Sequence, residues 1–318
     1  MKILVSGSSG HLGEALIRVL RESSNEVFGI DLIPSLYTNA TGSISNRSFV
    51  KKCMKGITHV LHTATLHKPH VISHGRQQFI DTNITGTLNL LEEAAEEGVH
   101  SFIYTSTTST FGDALSPAAD EPAAWITEDV VPVPRNIYGV TKMAAENLCQ
   151  LFYRNQKLPC LVLKTSRFFP EEDDEKMIAE TYADSNVKAN EFLYRRADIE
   201  DVVNAHLLAM EKAPSIGFSR YIISATSPFK KSHLEGLNKN APGLIKDIFP
   251  DYETVYASLG WKMFPVIGRV YVNQKAREEL GWLPKYDFGY ILERLKAGAD
   301  LRSELAIAVG TKGYHKMP

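Results

Sequence analysis

A glycine-rich turn between a short strand and a helix is the feature that most constrains this sequence. Residues 2–5 form an apolar, partly β-branched run that predicts a strand. The turn from Gly7 to Gly13 carries a glycine at every third position, and residues 14–20 then have helical periodicity. Glycines let the backbone turn tightly, and a helix N-terminus supplies amide donors for a phosphate. The order of these elements predicts a dinucleotide-binding unit.

An acidic residue follows near the distance that such a unit requires. The second apolar run, residues 26–30, ends at Asp31, which lies 18 residues after Gly13. A carboxylate at this place accepts hydrogen bonds from ribose hydroxyls and repels a 2′-phosphate. Asp31 therefore predicts NAD as the cofactor rather than NADP. An aspartate in a turn at the end of a strand is the alternative interpretation.

A tyrosine and a lysine four positions apart supply a chemical pair. If the segment is helical, Tyr138 and Lys142 lie on the same face, one turn apart. The ammonium group then favours the tyrosinate over the phenol, whose usual pKa is about 10. Such a tyrosine is a general acid/base near neutral pH. The spacing taken alone also fits an ordinary surface pair.

Composition and charge narrow the class of protein. The chain has 318 residues, 44% of them hydrophobic and 23% charged, and its net charge is −2. This charge gives no electrostatic case for nucleic acid or an anionic membrane, and no apolar run approaches the roughly 20 residues of a membrane span. Cys53, Cys149 and Cys160 share no metal spacing and fit thiols in a reducing compartment. We expect a cytoplasmic protein without a metal site.

Strands and helices alternate through the first half of the chain, which is typical of an α/β fold. We predict that residues 1–170 form a Rossmann-type NAD-binding domain with a doubly wound parallel sheet, to which residues 198–225 return. Residues 171–318 are predicted to form a smaller, mixed substrate-binding lobe that is intermittently connected to the first domain. Residues 73–97 predict one long helix, and the proline-rich residues 112–134 predict a loop over the site. No element is assigned to residues 304–318.

The Gly-x-x-Gly-x-x-Gly turn, taken with Tyr138 and Lys142, resembles the extended branch of the short-chain dehydrogenase/reductase superfamily, the NAD-dependent epimerase/dehydratase family. The resemblance runs from residue 1 to about residue 281. It implies that Thr107, five residues before Gly112, is the catalytic hydroxyl, with Ser109 in reserve. Tyr138 would then move the proton while the nicotinamide moves the hydride. Lys142 would bind the nicotinamide ribose and lower the pKa of the tyrosine.

The same resemblance implies a set of cofactor-binding positions along the chain. The diphosphate loop corresponds to Gly7, Gly10, His11, Leu12 and Gly13, and the ribose-binding acid corresponds to Asp31. The remaining cofactor positions are Ser43, Ile44, Thr63, Ala64, Thr65, Asn83, Thr105, Tyr138, Lys142 and Phe168. Ser43 stands where the family often has an aspartate near the adenine.

The predicted substrate positions depart from the family pattern. They are Thr107, Ser109, His67, Phe169, Arg195 and Arg196. Phe169 stands where epimerases have an asparagine for the substrate diphosphate, and Arg195 and Arg196 are the candidate compensation. An acidic run at residues 171–175 is expected to be a solvated helix start; facing the pocket, it would repel a diphosphate. Thr108 and Ser109 replace the Asp-Glu pair of dehydratases, which disfavours a dehydratase.

His67, His70 and His74 have spacings of three and four, but Pro69 interrupts any helix that would present them to a metal. Substrate contact is the stronger expectation for this loop, and a plain solvent-facing loop is stronger than either.

Three functions stay open at this point. The first is an NAD-dependent epimerase of a nucleotide sugar, and the second is a dehydrogenase or reductase of a different hydroxy or carbonyl compound. The third, a binding protein without chemistry, is disfavoured because Tyr138 and Lys142 are both present. The family also implies a homodimer that pairs two helices, with candidate contacts at Leu88, Leu91, Ala95, Leu148 and Leu151. Inward packing of these side chains is an equal alternative.

Overall fold

A seven-stranded parallel sheet forms the centre of the protein. The computed structural model describes residues 1–118, 120–172 and 176–313. The strands are Lys2–Ser6 (β1), Glu26–Asp31 (β2), Ala40–Thr41 (β3), His59–His62 (β4), Ser101–Thr107 (β5), Ala124–Ile126 (β6), Cys160–Thr165 (β7), Phe218–Ile223 (β8) and Arg269–Tyr271 (β9). The sheet has the order β3-β2-β1-β4-β5-β7-β8, and β6 pairs with β9 in a separate two-stranded sheet.

Helices cover both faces of the large sheet. The helices of the described residues, only some of which pack on this sheet, are His11–Arg21 (α1), Arg47–Met54 (α2), Arg76–Phe79 (α3), Gly86–Glu97 (α4), Ile137–Gln156 (α5), Lys176–Thr181 (α6), Asp184–Glu191 (α7), Ile199–Ile216 (α8), Leu234–Ile248 (α9), Tyr252–Leu259 (α10), Gln274–Leu280 (α11), Phe288–Lys296 (α12) and Glu304–Val309 (α13). Helices α1 and α8 pack on one face, and α2, α4 and α5 pack on the other. The predicted Rossmann-type, doubly wound parallel sheet is therefore confirmed.

The period-two alternation of strand side chains builds the two cores. In β5, Phe102 and Tyr104 join the core under α4 and α5, whereas Ile103 joins the core under α1 and α8. In β1, Leu4 points to the first of these cores and Ile3 to the second. A strand buried on both faces has to be apolar almost throughout, which explains the continuous hydrophobic runs in the sequence.

A third core lies outside the large sheet. It contains apolar residues of α7, α9, α10 and α12, together with Val270 of β9. The division of the chain at residue 170 remains a prediction. Among the helices that the structure describes, none combines the length and the hydropathy that crossing a bilayer requires.

Three local predictions differ from the structure. Residues 73–97 do not form one regular helix, because a π-helical turn, Ile80–Thr85, separates α3 from α4. The proline-rich loop contains β6, which the sequence pattern did not reveal because its partner β9 is far away in the chain. Leu91, a predicted dimer contact, is fully buried in the core between α4 and the sheet, whereas Leu151 is exposed.

Candidate active site

Two adjoining cavities lie at the carboxyl ends of the parallel strands. The first encloses about 320 Å³ and extends from the glycine-rich turn to Lys142. The second encloses about 200 Å³ and continues towards β9, where Tyr271 lines it. The wall between them is formed by His67, Tyr138, Thr165 and Phe169, which line both cavities. This edge of an open α/β sheet is where ligands bind.

The first cavity gathers most of the predicted cofactor positions. Those that line it are Gly7, Gly10, His11, Leu12, Gly13, Asp31, Ser43, Ile44, Thr63, Ala64, Thr65, Thr105, Tyr138, Lys142 and Phe168. The sequence analysis missed several other lining residues, among them Ser9, Leu66, His70 and Thr82. They are neighbours of predicted positions, so the correct segments were found although individual residues were not.

The glycine-rich turn is shaped so that side chains are not tolerated at two of its positions. Gly7 has a φ of +79°, in the region that favours glycine. A Cβ atom at Gly13 would lie 1.9 Å from the carbonyl oxygen of Gly7. The turn therefore brings bare backbone to the cavity at the N-terminus of α1, where amide groups attract a phosphate. This cradle fits the diphosphate of a dinucleotide.

Asp31 ends β2 at the rim of the same cavity. Its carboxylate accepts hydrogen bonds from the backbone amides of Ser9 and Ile33, each at 2.9 Å. These two bonds fix the carboxylate beside the turn and leave it at the place where an adenosine ribose would lie in such a unit.

Asn83 does not occupy the predicted place, because its buried side chain is turned towards the protein. Its amide nitrogen donates to the Leu66 carbonyl at 2.9 Å and to the Thr141 hydroxyl at 3.0 Å. Its oxygen accepts from the Leu66 amide at 2.8 Å and from the Thr65 hydroxyl at 3.0 Å. Asn83 therefore ties the loop after β4 to α5, and Thr82 lines the cavity in its stead.

Tyr138 lies in the first turn of α5. Asn136 begins this helix by accepting a hydrogen bond from the Gly139 amide at 3.1 Å. The phenol is buried at the shared wall of the cavities, and Thr107 lines the second cavity beside it. Burial raises the pKa of Tyr138 to about 12, and the nearby Thr107 side chain opposes this rise. The predicted pair of Thr107 and Tyr138 is thus together in space.

Lys142 follows one turn later and is also buried. Its ammonium group donates to the Thr105 carbonyl at 2.6 Å and lies 4.2 Å from the ring centroid of Tyr104. Burial lowers the pKa of Lys142 to about 7, and Glu146 opposes this fall. The expected lowering of the tyrosine pKa by Lys142 is not seen in the protein alone: burial of the phenol raises this pKa, and the group that opposes the rise is Thr107 rather than Lys142.

The second cavity brings together most of the predicted substrate positions. These are His67, Thr107, Ser109, Phe169 and Arg195. Arg196 is the exception, since it is buried and lines a separate cavity of about 30 Å³ beside α8. Its guanidinium donates to Glu191 at 2.8 Å and to the carbonyl of Phe169 at 3.1 Å. Arg196 therefore supports the loop after β7 from behind.

Glu191 is a buried anchor for three arginines. Besides Arg196, it accepts hydrogen bonds from Arg167 at 3.2 Å and from Arg195 at 3.0 Å. These cations outweigh the cost of burying Glu191, and its pKa is lowered. Arg167 and Arg195 also line the second cavity, and the sequence analysis missed Arg167. Its position directly after β7, at the carboxyl edge of the sheet, was the available signal.

Glu171, the first residue of the acidic run, does not begin a solvated helix, contrary to the prediction. The Glu171 side chain is only 9% exposed, and its Oε1 lies 3.1 Å from Nε2 of His11. The Lys312 amide donates to the same carboxylate at 3.0 Å. Glu171 and Glu172 line the second cavity. Asp173, Asp174 and Glu175, the rest of the run, lie outside the described residues.

The three histidines of the loop after β4 pack against one another edge to face. The ring centroids of His67 and His70 are 4.5 Å apart, and those of His70 and His74 are 5.0 Å apart. His67 also stacks on Phe169 at 5.4 Å, so the loop is packed rather than solvent-facing at this point. Within the described ranges, no three histidine, cysteine or acidic side chains are grouped so that they could hold a metal ion.

Known proteins resemble this chain in both sequence and structure. An uncharacterized UDP-glucose epimerase of Bacillus subtilis is 27% identical over 190 residues, which cover 53% of this chain and 56% of that protein. A 3-beta-hydroxysteroid dehydrogenase of Mycolicibacterium neoaurum is 30% identical over 156 residues, which cover 46% of this chain and 41% of that protein. The chain thus spans about half of the length of these curated relatives or less.

Solved structures share the fold over nearly the whole chain. A short-chain dehydrogenase/reductase superfamily protein of Agrobacterium tumefaciens with bound NAD has a TM-score of 0.65 at 19% identity, covering 93% of this chain and 96% of its own. The UDP-glucose 4-epimerase of Thermotoga maritima with UDP-glucose has a TM-score of 0.64 at 23% identity, covering 94% and 99%. The model of the NAD dependent epimerase/dehydratase family matches residues 3–221. The chain belongs to this family.

Proposed function

We propose that this protein is an NAD-dependent enzyme of the epimerase type that acts at a hydroxyl or keto carbon. The observation that carries this proposal is the place of Tyr138, which lines both cavities and shares the lining of the second with Thr107. A cofactor in the first cavity and a substrate in the second would both be within reach of its phenol. The glycine cradle and Asp31 support NAD as the cofactor.

Each residue has a distinct task in the proposed reaction. NAD, when bound, supplies the acceptor for a hydride from the substrate carbon. Tyr138 takes the proton of the substrate hydroxyl, and Thr107 orients that hydroxyl by a hydrogen bond. Lys142 holds the ribose end of the cofactor. Its charge, added to that of the oxidised nicotinamide, favours the tyrosinate against the burial that raises the pKa of the phenol.

We propose a nucleotide sugar as the leading substrate class. The support is the set of relatives and fold neighbours, which include epimerases of UDP-sugars. Two dTDP-glucose 4,6-dehydratases are also among the relatives. We nevertheless propose against a dehydratase, because Thr108 and Ser109 offer no carboxyl group for the elimination of water.

A specific observation favours a second candidate, a dehydrogenase or reductase of a non-nucleotide hydroxy or carbonyl compound. Glu171 and Glu172 line the second cavity, and their carboxylates would repel a diphosphate. Phe169 adds an aromatic wall there and offers no hydrogen bond. Arg167 and Arg195 face the same space, so an anionic substrate of smaller size is compatible with the cavity.

We also propose a division of tasks along the chain and a pairing of two copies. Residues 1–170 and 198–225 would bind the cofactor, and residues 171–318 would complete the substrate site. A homodimer through α4 and α5 is proposed with a changed contact set, since Leu91 is buried, whereas Val140 and Leu151 are exposed on α5.

The first experiment is to denature the freshly purified protein and identify any nucleotide that it releases. Stoichiometric NAD would indicate a cofactor recycled in each turnover, and UDP-sugars would then be screened for epimerisation. A protein that binds added NADH reversibly would be screened with hydroxy and keto compounds for a net change in NADH. In either case Tyr138→Phe should abolish turnover and leave NADH binding near normal. Turnover by this variant would contradict the proposed mechanism.

A further inference from the structure

Two arginines of the second cavity are held by one buried oxygen atom. Oε1 of Glu191 accepts a hydrogen bond from Arg167 at 3.2 Å and another from Arg195 at 3.0 Å. Arg196 donates to the other oxygen, Oε2, at 2.8 Å. The guanidinium carbon of Arg195 also lies 5.3 Å from the ring centroid of Tyr194. The two guanidinium groups are therefore fixed close together before a ligand binds, which lowers the entropic cost of binding.

Both arginines present part of their side chains to the cavity. The side chains of Arg167 and Arg195 are 27% and 30% exposed, whereas Glu191 is fully buried. The Arg167 amide donates to the Arg195 carbonyl at 3.2 Å, so the backbone also holds the two residues side by side. A guanidinium carries five N–H donors in one plane, and the carboxylate behind the pair engages only part of each.

A buried hydroxyl lies next to this arginine pair. Ser166 directly precedes Arg167 at the end of β7 and lines the second cavity. Its side chain is buried, and no other residue that the structure describes offers its hydroxyl a hydrogen-bond partner. A buried hydroxyl without a partner costs stability, which an acceptor atom on a ligand would recover. The donors at this end of the cavity therefore favour a ligand with oxygen acceptors.

The arginine pair is set apart from the reacting groups of the same cavity. Thr107 is the strand partner of Thr165, and Arg167 follows two residues later. At about 3.3 Å per extended residue, the backbone of Arg167 lies roughly 7 Å further along the sheet. A ligand that reaches both ends would carry its anionic group several bonds away from the carbon that bears its hydroxyl.

This end of the cavity fits a carboxylate better than a diphosphate. The planar edges of guanidinium groups match the two oxygens of a carboxylate. Glu171 and Glu172 line the same cavity, and their repulsion of a ligand grows with its negative charge. The cavity encloses about 200 Å³. Sites for drug-sized ligands, a class that includes nucleotide sugars by size, enclose roughly 300–1,000 Å³.

We propose that Arg167 and Arg195 form a carboxylate subsite and that the substrate is a small hydroxy or keto acid without a nucleotide. The inference rests on the proposed function and deepens its second candidate, because it names the class of compound that would meet Thr107 and Tyr138. Ser166 would donate a further hydrogen bond to the acid.

The test measures binding and needs no turnover. The protein saturated with NADH is titrated by calorimetry with D-glucuronate, D-galacturonate and D-gluconate, and with their neutral counterparts D-glucose, D-galactose and sorbitol. These acids carry a hydroxyl on most carbons, so the result does not depend on which carbon reacts. We expect at least one acid to bind about tenfold more tightly than its neutral counterpart. Arg195→Met should abolish this preference, and Arg195→Lys should restore only part of it, because an ammonium group lacks the planar fork.

Lys68→Met is the matched control, because it removes a cation from the lining of the same cavity and leaves the cluster around Glu191 intact. This variant should keep the preference for the acid. Should Arg195→Met fail to fold, as judged by loss of NADH binding, Arg167→Met is titrated instead and leaves Arg195 and Arg196 on Glu191. A preference that is lost in Lys68→Met but kept in the arginine variants would overturn the inference.

The same titrations separate this inference from the proposed function. No preference for any acid over its neutral counterpart would overturn the inference and leave the proposed function standing. UDP-glucose that binds more tightly than every acid, and loses this affinity in Arg195→Met, would overturn it as well, because the arginines would then bind a diphosphate. Tyr138→Phe should keep the preference for the acid, so turnover by this variant would overturn the proposed function alone.

Discussion

His11 and Glu171 meet at 3.1 Å between Nε2 and Oε1, which joins the glycine-rich turn to the loop after β7. His11 begins α1 and lines the first cavity, and Glu171 lines the second. The contact therefore links the linings of the two cavities through one buried pair. Glu171, the first residue of the acidic run, therefore has a structural role.

Glu171→Gln should destabilise the protein by about 1–3 kcal/mol, because the buried carboxylate loses its charge beside His11 and its charge-assisted hydrogen bond from the Lys312 amide. Burial acts to raise the pKa of Glu171, but the interaction with His11 and the Lys312 amide lower it overall. The stabilisation is therefore present above the ordinary pKa of glutamate and is lost as the pH falls through the lower folded value. Urea denaturation at several pH values measures it, with the exposed neighbour in Glu172→Gln as control. An equal decrease in the free energy of unfolding in both variants would contradict a stabilising role of the contact between Glu171 and His11.

Lys142→Met should make the protein more stable at neutral and acidic pH while abolishing turnover. The pKa of Lys142 is lowered by burial to about 7, so between this value and the ordinary 10.5 the unfolded chain binds more protons than the folded protein. The stability of the wild type must therefore rise with pH across this interval relative to the variant. Melting temperatures of both proteins from pH 6 to about 10 test this sign. If the difference in melting temperature between the variant and the wild type does not narrow as the pH rises, burial of the Lys142 ammonium group does not destabilise the folded protein.

Asp31→Asn should weaken NADH binding by about tenfold and narrow the preference for NADH over NADPH. The charge that repels a 2′-phosphate is removed, and one of the two backbone amides bound at 2.9 Å loses its acceptor. Fluorescence titration with both reduced cofactors measures the ratio of the dissociation constants for NADPH and NADH. Ser43→Ala, at the adenine end of the same cavity, is the control and should affect the two cofactors equally. An unchanged ratio in Asp31→Asn would remove the argument for NAD.

Asn83→Ala should cost about 2–3 kcal/mol and weaken NADH binding indirectly. Four hydrogen bonds from this side chain hold Leu66, Thr65 and Thr141 in place. The exposed Thr85→Ala variant, in the same helical turn, is the control for stability. Weaker NADH binding without any loss of stability would instead support direct contact between Asn83 and the cofactor.

The sequence was most informative where a function is carried by neighbouring residues. The glycine-rich turn, Asp31, and the pair of Tyr138 and Lys142 each have a spacing that reflects one local element, and their segments line the first cavity. The apolar runs likewise predicted the parallel sheet, because a strand covered on both faces has little choice of residue.

Relationships between distant elements could not be predicted in this way. Glu191 accepts a hydrogen bond from Arg196 behind the loop after β7. His11 contacts Glu171, which lies far along the chain. Sequence patterns give the charge of such residues and not their partners, so Arg196 was placed in the substrate site and Glu171 in solvent. The partners of Asn83 are likewise distant in sequence, since its side chain bonds the loop after β4 and Thr141 of α5, and this could not be predicted from its own segment.

The parallel pairing of β6 with β9 bears on the order in which the site is built during synthesis. The seven strands of the large sheet are complete once Ile223 has emerged, whereas β6 cannot pair until Arg269–Tyr271 has been made. Tyr271 itself lines the second cavity, whereas all residues that line the first lie at or before Phe169. The first cavity can therefore form on the ribosome well before the second, whose wall depends on a contact of high sequence separation.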